Sequence, residues 1–261
     1  MLVRTICLIA ALLMPVAVQS GVPVVESWVV NDNGGSSSSV SAHILKPSGL
    51  SEGDLIVLLV ASDPNNPGTG GICQDTPSGY TCILNESHNT SDAAIGVFYK
   101  VAGASEPDTL ATVDISSDPA GYPVTWGVRI SGQHATQPDT VGTYLIANSS
   151  SITDSLVTVN DSSLVIVFSA FDGSGGAADT ATITGTGWTD IDDDNNGTGF
   201  AGVVATWGTY SAATADTTAP VTVTYASSDG IIEALFSIRG TYEESAGAFR
   251  GAVIVIGMRD E

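Results

Sequence analysis

Basic residues are scarce in this chain: 7 Lys and Arg stand against 28 Asp and Glu, a net charge of -21 over 261 residues. A nucleic-acid binder neutralises phosphates with Lys and Arg, so this balance argues against that class and against anionic membrane surfaces. Histidine is rarer still. His43, His88 and His134 stand in no metal-binding or triad spacing, and the chain has no H-E-x-x-H pair, nucleophile elbow or P-loop. Glycoside hydrolysis needs two carboxylates across a cleft. Acids abound here, but no pair is singled out, so the chain reads as a non-enzyme, with a secreted hydrolase as the alternative. Cysteine is limited to Cys7, Cys73 and Cys82. In an exported chain that loses Cys7 with a leader, Cys73 and Cys82 are expected to pair; two free thiols are the alternative.

Helical periodicity is missing from Val22 onward. In its place come short β-branched and apolar runs between Gly, Pro, Asn, Asp and Ser clusters, the signature of strands. Strands are expected near 23–30, 40–46, 54–62, 80–84, 93–101, 109–115, 123–131, 141–147, 155–159, 163–171, 181–184, 187–191, 200–209, 219–225, 230–239 and 250–257. Short strands at this spacing predict an all-β, antiparallel β-sandwich of jelly-roll-like form. Leu55 to Val60 is apolar on both alternations, so that strand is expected to be central and covered on both faces.

The central run has an echo. Leu55 and Asp63 match Leu164 and Asp172, 109 positions on. Gly79-Tyr80-Thr81 matches Gly187-Trp188-Thr189, Tyr99 matches Trp207, and Ile130 matches Ile238, each 108 positions on. The spacing predicts an internal duplication, with halves at 24–132 and 141–240 inside a sandwich domain at 21–240. Residues 1–20 read as a signal peptide, with Arg4 before an apolar run too short to span a bilayer comfortably. That places the protein in the secreted or cell-surface class, with no membrane span in the mature chain. Residues 241–261 form a C-terminal extension with one further strand, Ala252 to Ile256, which caps an edge or is offered to a partner.

Asp192-Asp193-Asp194-Asn195-Asn196-Gly197 reads D-x-D-x-N-G, the first half of a calcium loop, with Asp190 as a further ligand. Val203 stands where the loop's closing acid belongs, so an ordinary acidic hairpin competes with calcium as the reading. Trp28, Trp126, Trp188 and Trp207 all read as core rather than as sugar-stacking platforms. Sequons begin at Asn85, Asn89, Asn148, Asn160 and Asn196, and matter only in a host that glycosylates exported protein.

Lys46-Pro47-Ser48-Gly49 leading to Gly53-Asp54-Leu55, then Thr76-Pro77-Ser78-Gly79-Tyr80-Thr81, Phe98-Tyr99-Lys100-Val101-Ala102 with Glu106-Pro107, and Arg129-Ile130-Ser131-Gly132 carry a resemblance. Taken in order, over about 24–240, they resemble a largely uncharacterised module of phage virion proteins and large secreted bacterial surface proteins. The resemblance implies a jelly-roll-like sandwich with structural, adhesive or glycan-binding roles and no established enzymatic activity. The expected function is thus a non-enzymatic structural or adhesive module on a cell or particle surface. Its partner would be a surface glycan or a protein, self-assembly included. A calcium-assisted carbohydrate-binding module and a virion structural protein are the alternatives.

Overall fold

The computed structural model describes residues 21–32, 41–63, 76–88, 93–115, 122–135, 137–138, 140–158, 160–173, 180–197 and 202–241. The signal-like segment, Cys73 and the stretch Ala252 to Ile256 expected to be a further strand lie outside the described residues. Among the described residues, thirteen strands, all antiparallel to their neighbours, run in chain order. They are β1 (Val24–Asn31), β2 (Ser41–Leu45), β3 (Leu55–Ser62), β4 (Thr81–Ser87), β5 (Ala94–Val101), β6 (Thr109–Asp114) and β7 (Val124–Ser131), then β8 (Thr140–Asp154), β9 (Ser163–Asp172), β10 (Ala181–Thr184), β11 (Trp188–Gly197), β12 (Gly202–Ala212) and β13 (Val221–Arg239). The described residues contain no helix.

The strands form a five-stranded sheet ordered β1-β7-β3-β5-β4, a second sheet ordered β10-β13-β9-β12-β11 with β8 also on β13, and a separate β2–β6 pair. The two large sheets face each other across one core. Leu55, Val57, Leu59, Trp126 and Ile130 on the first meet Leu164, Phe168, Trp207, Phe236 and Ile238 on the second. Each sheet buries its other face as well. Ile56, Leu58, Val60 and Phe98 pack under Ile44 and Val113 of the β2–β6 pair. Val165, Val167 and Leu235 pack under Ile152, Val221 and Val223, at the outer ends of β8 and β13. This layering explains the sequence of β3, where every residue is buried because both alternations have a partner. Burying each such side chain stabilises by roughly 1.5–3 kcal/mol.

The order of the first sheet recurs in the second half as β8-β13-β9-β12-β11. Leu55 lies opposite Ile130, and Leu164 opposite Ile238. The ladder between β4 and β5 slips at Ile83, and that between β11 and β12 slips at Ile191. One part of the sequence alignment is corrected. Leu59 faces Val97 and Phe168 faces Trp207, so Trp207 takes the place of Val97 and not of Tyr99.

Three stretches expected to break strands are strand. Residues 226–229 were expected to separate two strands, but β13 runs through them, with a register shift between Thr224 and Asp229. β8 likewise continues through its serines to Asp154. Small Ser and Ala side chains let a bent ribbon stay extended where turn chemistry alone suggests a break. The third is the acidic stretch 192–197. It is not a loop but the second part of β11, laddered residue by residue onto β12.

Candidate functional site

As β11 is an edge strand, its side chains alternate between the inter-sheet core and the outer face. The slip at Ile191 divides the predicted calcium ligands. Asp190 lies opposite Gly208 and accepts a hydrogen bond from the Ile183 backbone N–H at 3.1 Å, on the side of β10. Asp192, Asp194 and Asn196 lie opposite Trp207, Ala205 and Val203, whose side chains belong to the inter-sheet core, and so face the first sheet. Asp190 is therefore separated from the other three. Among the described residues, no three His, Cys, Asp or Glu side chains are gathered as a metal cluster.

Asp192 is the anchor of this edge. Its Oδ2 accepts the indole N–H of Trp28 at 3.1 Å and that of Trp126 at 3.0 Å, joining β11 to β1 and β7. Hydrogen bonds to a charged acceptor contribute about 1.5–3 kcal/mol each when sheltered. Trp28 meets Trp207 edge-on at 5.8 Å, and Trp126 meets Phe168 edge-on at 6.0 Å. Trp126 and Trp207 are fully buried, as expected. Trp28 departs from the core reading: it is 42% exposed, because β1 is the last strand of its sheet and nothing described covers that side. Trp188 is half-buried, with its indole N–H on the Ala219 carbonyl at 2.8 Å.

Further along, Asn196 crosses to the first sheet. Its amide nitrogen donates to the backbone carbonyls of Asp32 and Pro123, while its Oδ1 is buried and accepts no hydrogen bond. Asp194 lies between these anchors. Burial holds its carboxyl above the usual carboxylate range. The Asn195 N–H opposes that shift, while Asp32, Asp192 and Asp193 reinforce it.

Lys46, Asp54, Tyr80, Lys100, Glu106 and Arg129 gather at one end of the first half, in contacts with one another. Asp54 accepts from Arg129 Nε at 2.6 Å and from the Ser51 N–H at 2.9 Å. Glu106 accepts from Lys100 Nζ and from the Gly103 N–H, both at 2.7 Å. Lys46 Nζ donates to the Glu106 carbonyl and pairs with Asp108, and Lys100 lies 4.7 Å from the Tyr80 ring centroid. Burial pushes the Tyr80 phenol up, with the charge of Glu106 adding to it. The Cys82 sulfur lies 3.4 Å from the Leu84 carbonyl oxygen, and its expected partner Cys73 is outside the described residues. His88 is buried, and burial lowers its pKa against the opposing charge of Asp229.

Sequence reasoning passed over Glu233. It is fully buried on β13 within Ile231-Ile232-Glu233-Ala234-Leu235-Phe236, and neither carboxyl oxygen has a hydrogen-bond partner. Burial, with a smaller push from Asp154, raises its pKa to about 8. Nearby, the Tyr225 hydroxyl donates to Ser169 Oγ at 2.8 Å. A lone acid in an otherwise apolar run was the available signal. A cleft of about 220 Å³ lies beside Tyr210 and the loop to Thr218, and Asp216 is the one carboxylate in its lining. No helix among the described residues is long and apolar enough to cross a membrane.

No family model, no curated protein and no solved structure matches this chain.

Proposed function

We propose that this chain is a non-enzymatic structural or adhesive module, exported to a cell or particle surface, that makes its contacts through the edges of its sheets. The observation that carries this reading is the placement of the exposed large apolar side chains. Of the six such side chains among the described residues, Val24 and Trp28 lie on β1 and Tyr144 and Ile146 on β8, while Val101 ends β5 and Val157 follows β8. Strands β1 and β8 are outermost in their sheets, β1 beside β11 and β8 beside β4, so their apolar groups border opposite sides of the sandwich. Edge strands offer unpaired backbone groups and are a common place for a partner strand to add. The charged groups of the first half are engaged with one another, which supports a scaffold role for them. We also infer that the recurrent strand order arose by internal duplication, which would explain why both halves expose apolar groups on the equivalent strand.

The test is light scattering on the full chain over a concentration series, with binding to the producing cell or particle surface measured alongside. Trp28→Lys and Tyr144→Lys should reduce self-association or attachment while leaving a cooperative melt. A chain that stays monomeric and attaches to nothing, or whose charged variants assemble as well as the parent, would overturn the proposal.

A calcium-assisted glycan-binding reading has one observation in its favour. The half-exposed Trp28 ring is held in place by Asp192, as a sugar-stacking platform must be. Glycan-array binding that is lost in Trp28→Ala and not in Tyr144→Ala would select this reading.

A further inference from the structure

The junction of β1 and β11 combines three things. Like charges act on one another there: Asp32, just past the end of β1, and Asp192 bear on Asp194 on the facing side of β11. Lys46, Lys100 and Arg129 are occupied elsewhere, since they pair with Asp108, Glu106 and Asp54. And a side-chain oxygen, Asn196 Oδ1, is 4% exposed by residue yet accepts nothing. The orientation of that amide is set by two backbone carbonyls, of Asp32 and Pro123, that can only accept, so its nitrogen is committed to the first sheet and its oxygen is left for something else. A buried acceptor without a donor costs about 1–3 kcal/mol. A cation relieves that cost and the repulsion between the carboxylates together.

We propose that Asp32, Asp194 and Asn196 bind one calcium ion that clips the first sheet to the second at this edge. The donors are all hard oxygens, carboxylate and amide, and no His or Cys stands among them, which disfavours zinc. They come from two sheets and differ in kind, a set that suits the flexible coordination of calcium better than the strict octahedron of magnesium. Water completes the shell, because the protein supplies fewer than the six to eight oxygens calcium takes. Asp190 has no part in this site, since it faces β10. Asp192 acts beside it, with one oxygen already on two indoles. The proposal stands apart from the edge-contact function: either can fail alone.

Those indoles supply the assay. Terbium substitutes for calcium and emits when an excited tryptophan is nearby. Titrated into the full chain with tryptophan excitation, terbium should give saturable emission that about millimolar calcium reverses. Asp194→Asn and Asp32→Asn should each weaken terbium binding about tenfold or more, whereas Asp108→Asn, on a fully exposed acid outside the site, should not. Because Asp32 and Asp194 belong to different sheets, a folding defect in one variant leaves the other to decide, with near-ultraviolet circular dichroism as the check on fold. Emission that calcium does not reverse, or that both site variants retain at the parent's affinity, would overturn the site as diffuse ion binding to an acidic surface.

Discussion

The two halves of this protein share a strand order but are held together by different chemistry. At the end of the first half, Lys100 sits over Tyr80, pairs with Glu106 and is joined by Lys46; at the paired positions of the second, Trp188 and Tyr210 lie ring to ring at 5.4 Å. Arg129 and Asp54 are matched by the buried Ser237 and Ser163. One frame thus accepts either ion pairs or apolar and aromatic packing at its closed end. The topology depends on the central strands, which are buried on both faces, and not on these peripheral groups.

The exchange runs the other way on the last strand of each half. Thr125 on β7 is buried with its hydroxyl donating to the Asn31 or His43 carbonyl, at 3.2 and 3.0 Å. Glu233 takes that place on β13 with no partner at all. With a folded pKa of about 8, Glu233 is protonated in the folded state at neutral pH and ionised in the unfolded one. It is therefore a burden that grows as pH rises from the ordinary carboxylate value to the folded value. The largest predicted effect follows. Glu233→Gln should raise stability by about 2–3 kcal/mol at pH 7 and by little near pH 4, read by chemical denaturation at both pH values.

The next effect separates two buried tryptophans. Trp126 donates to Asp192, whereas the Trp207 N–H has no acceptor. Trp126→Phe should cost about 1–2 kcal/mol more than Trp207→Phe, because it alone removes a hydrogen bond to a carboxylate. Equal losses would mean that Asp192 finds a substitute donor. Third comes Glu106. Burial pushes its pKa up, but hydrogen bonds from Lys100 and the Gly103 N–H, with the charges of Lys100 and Lys46, outweigh that and leave it lowered. Its contribution is present above the unfolded carboxylate pKa and is lost as pH falls through the folded value. Glu106→Gln should cost about 1–3 kcal/mol at pH 7 and progressively less in acid. The smallest effect belongs to Asp108, whose carboxylate is fully exposed opposite Lys46. Asp108→Asn should leave the melting temperature unchanged within error.

Most of the strands could be read from sequence because their apolar runs are bounded by Gly, Pro, Asn and Asp. Leu55 to Val60 announced a doubly covered strand by lacking alternation, and its burial on both faces agrees. The acidic stretch 192–197 was harder. Its composition is that of a turn, yet Trp28, Trp126 and the backbone of Asp32 and Pro123 engage it, so tertiary partners outweigh local propensity. A register slip at Ile191 decides which acids share a face, and a one-residue slip leaves no mark in composition. Asp32 joined the candidate site for the same reason: it is far from Asp194 in sequence, and sheet packing alone brings them together.

The contrast between the halves is tested most directly by following the melting temperature of the parent, Glu233→Gln and Glu106→Gln from about pH 4 to about pH 9. The account predicts that the Glu233→Gln gain opens as pH rises through the carboxylate range and levels off above about pH 8, while the Glu106→Gln deficit is full at neutral pH and closes in acid. Parallel curves for all three proteins, or a Glu233→Gln variant less stable than the parent at the alkaline end, would contradict it.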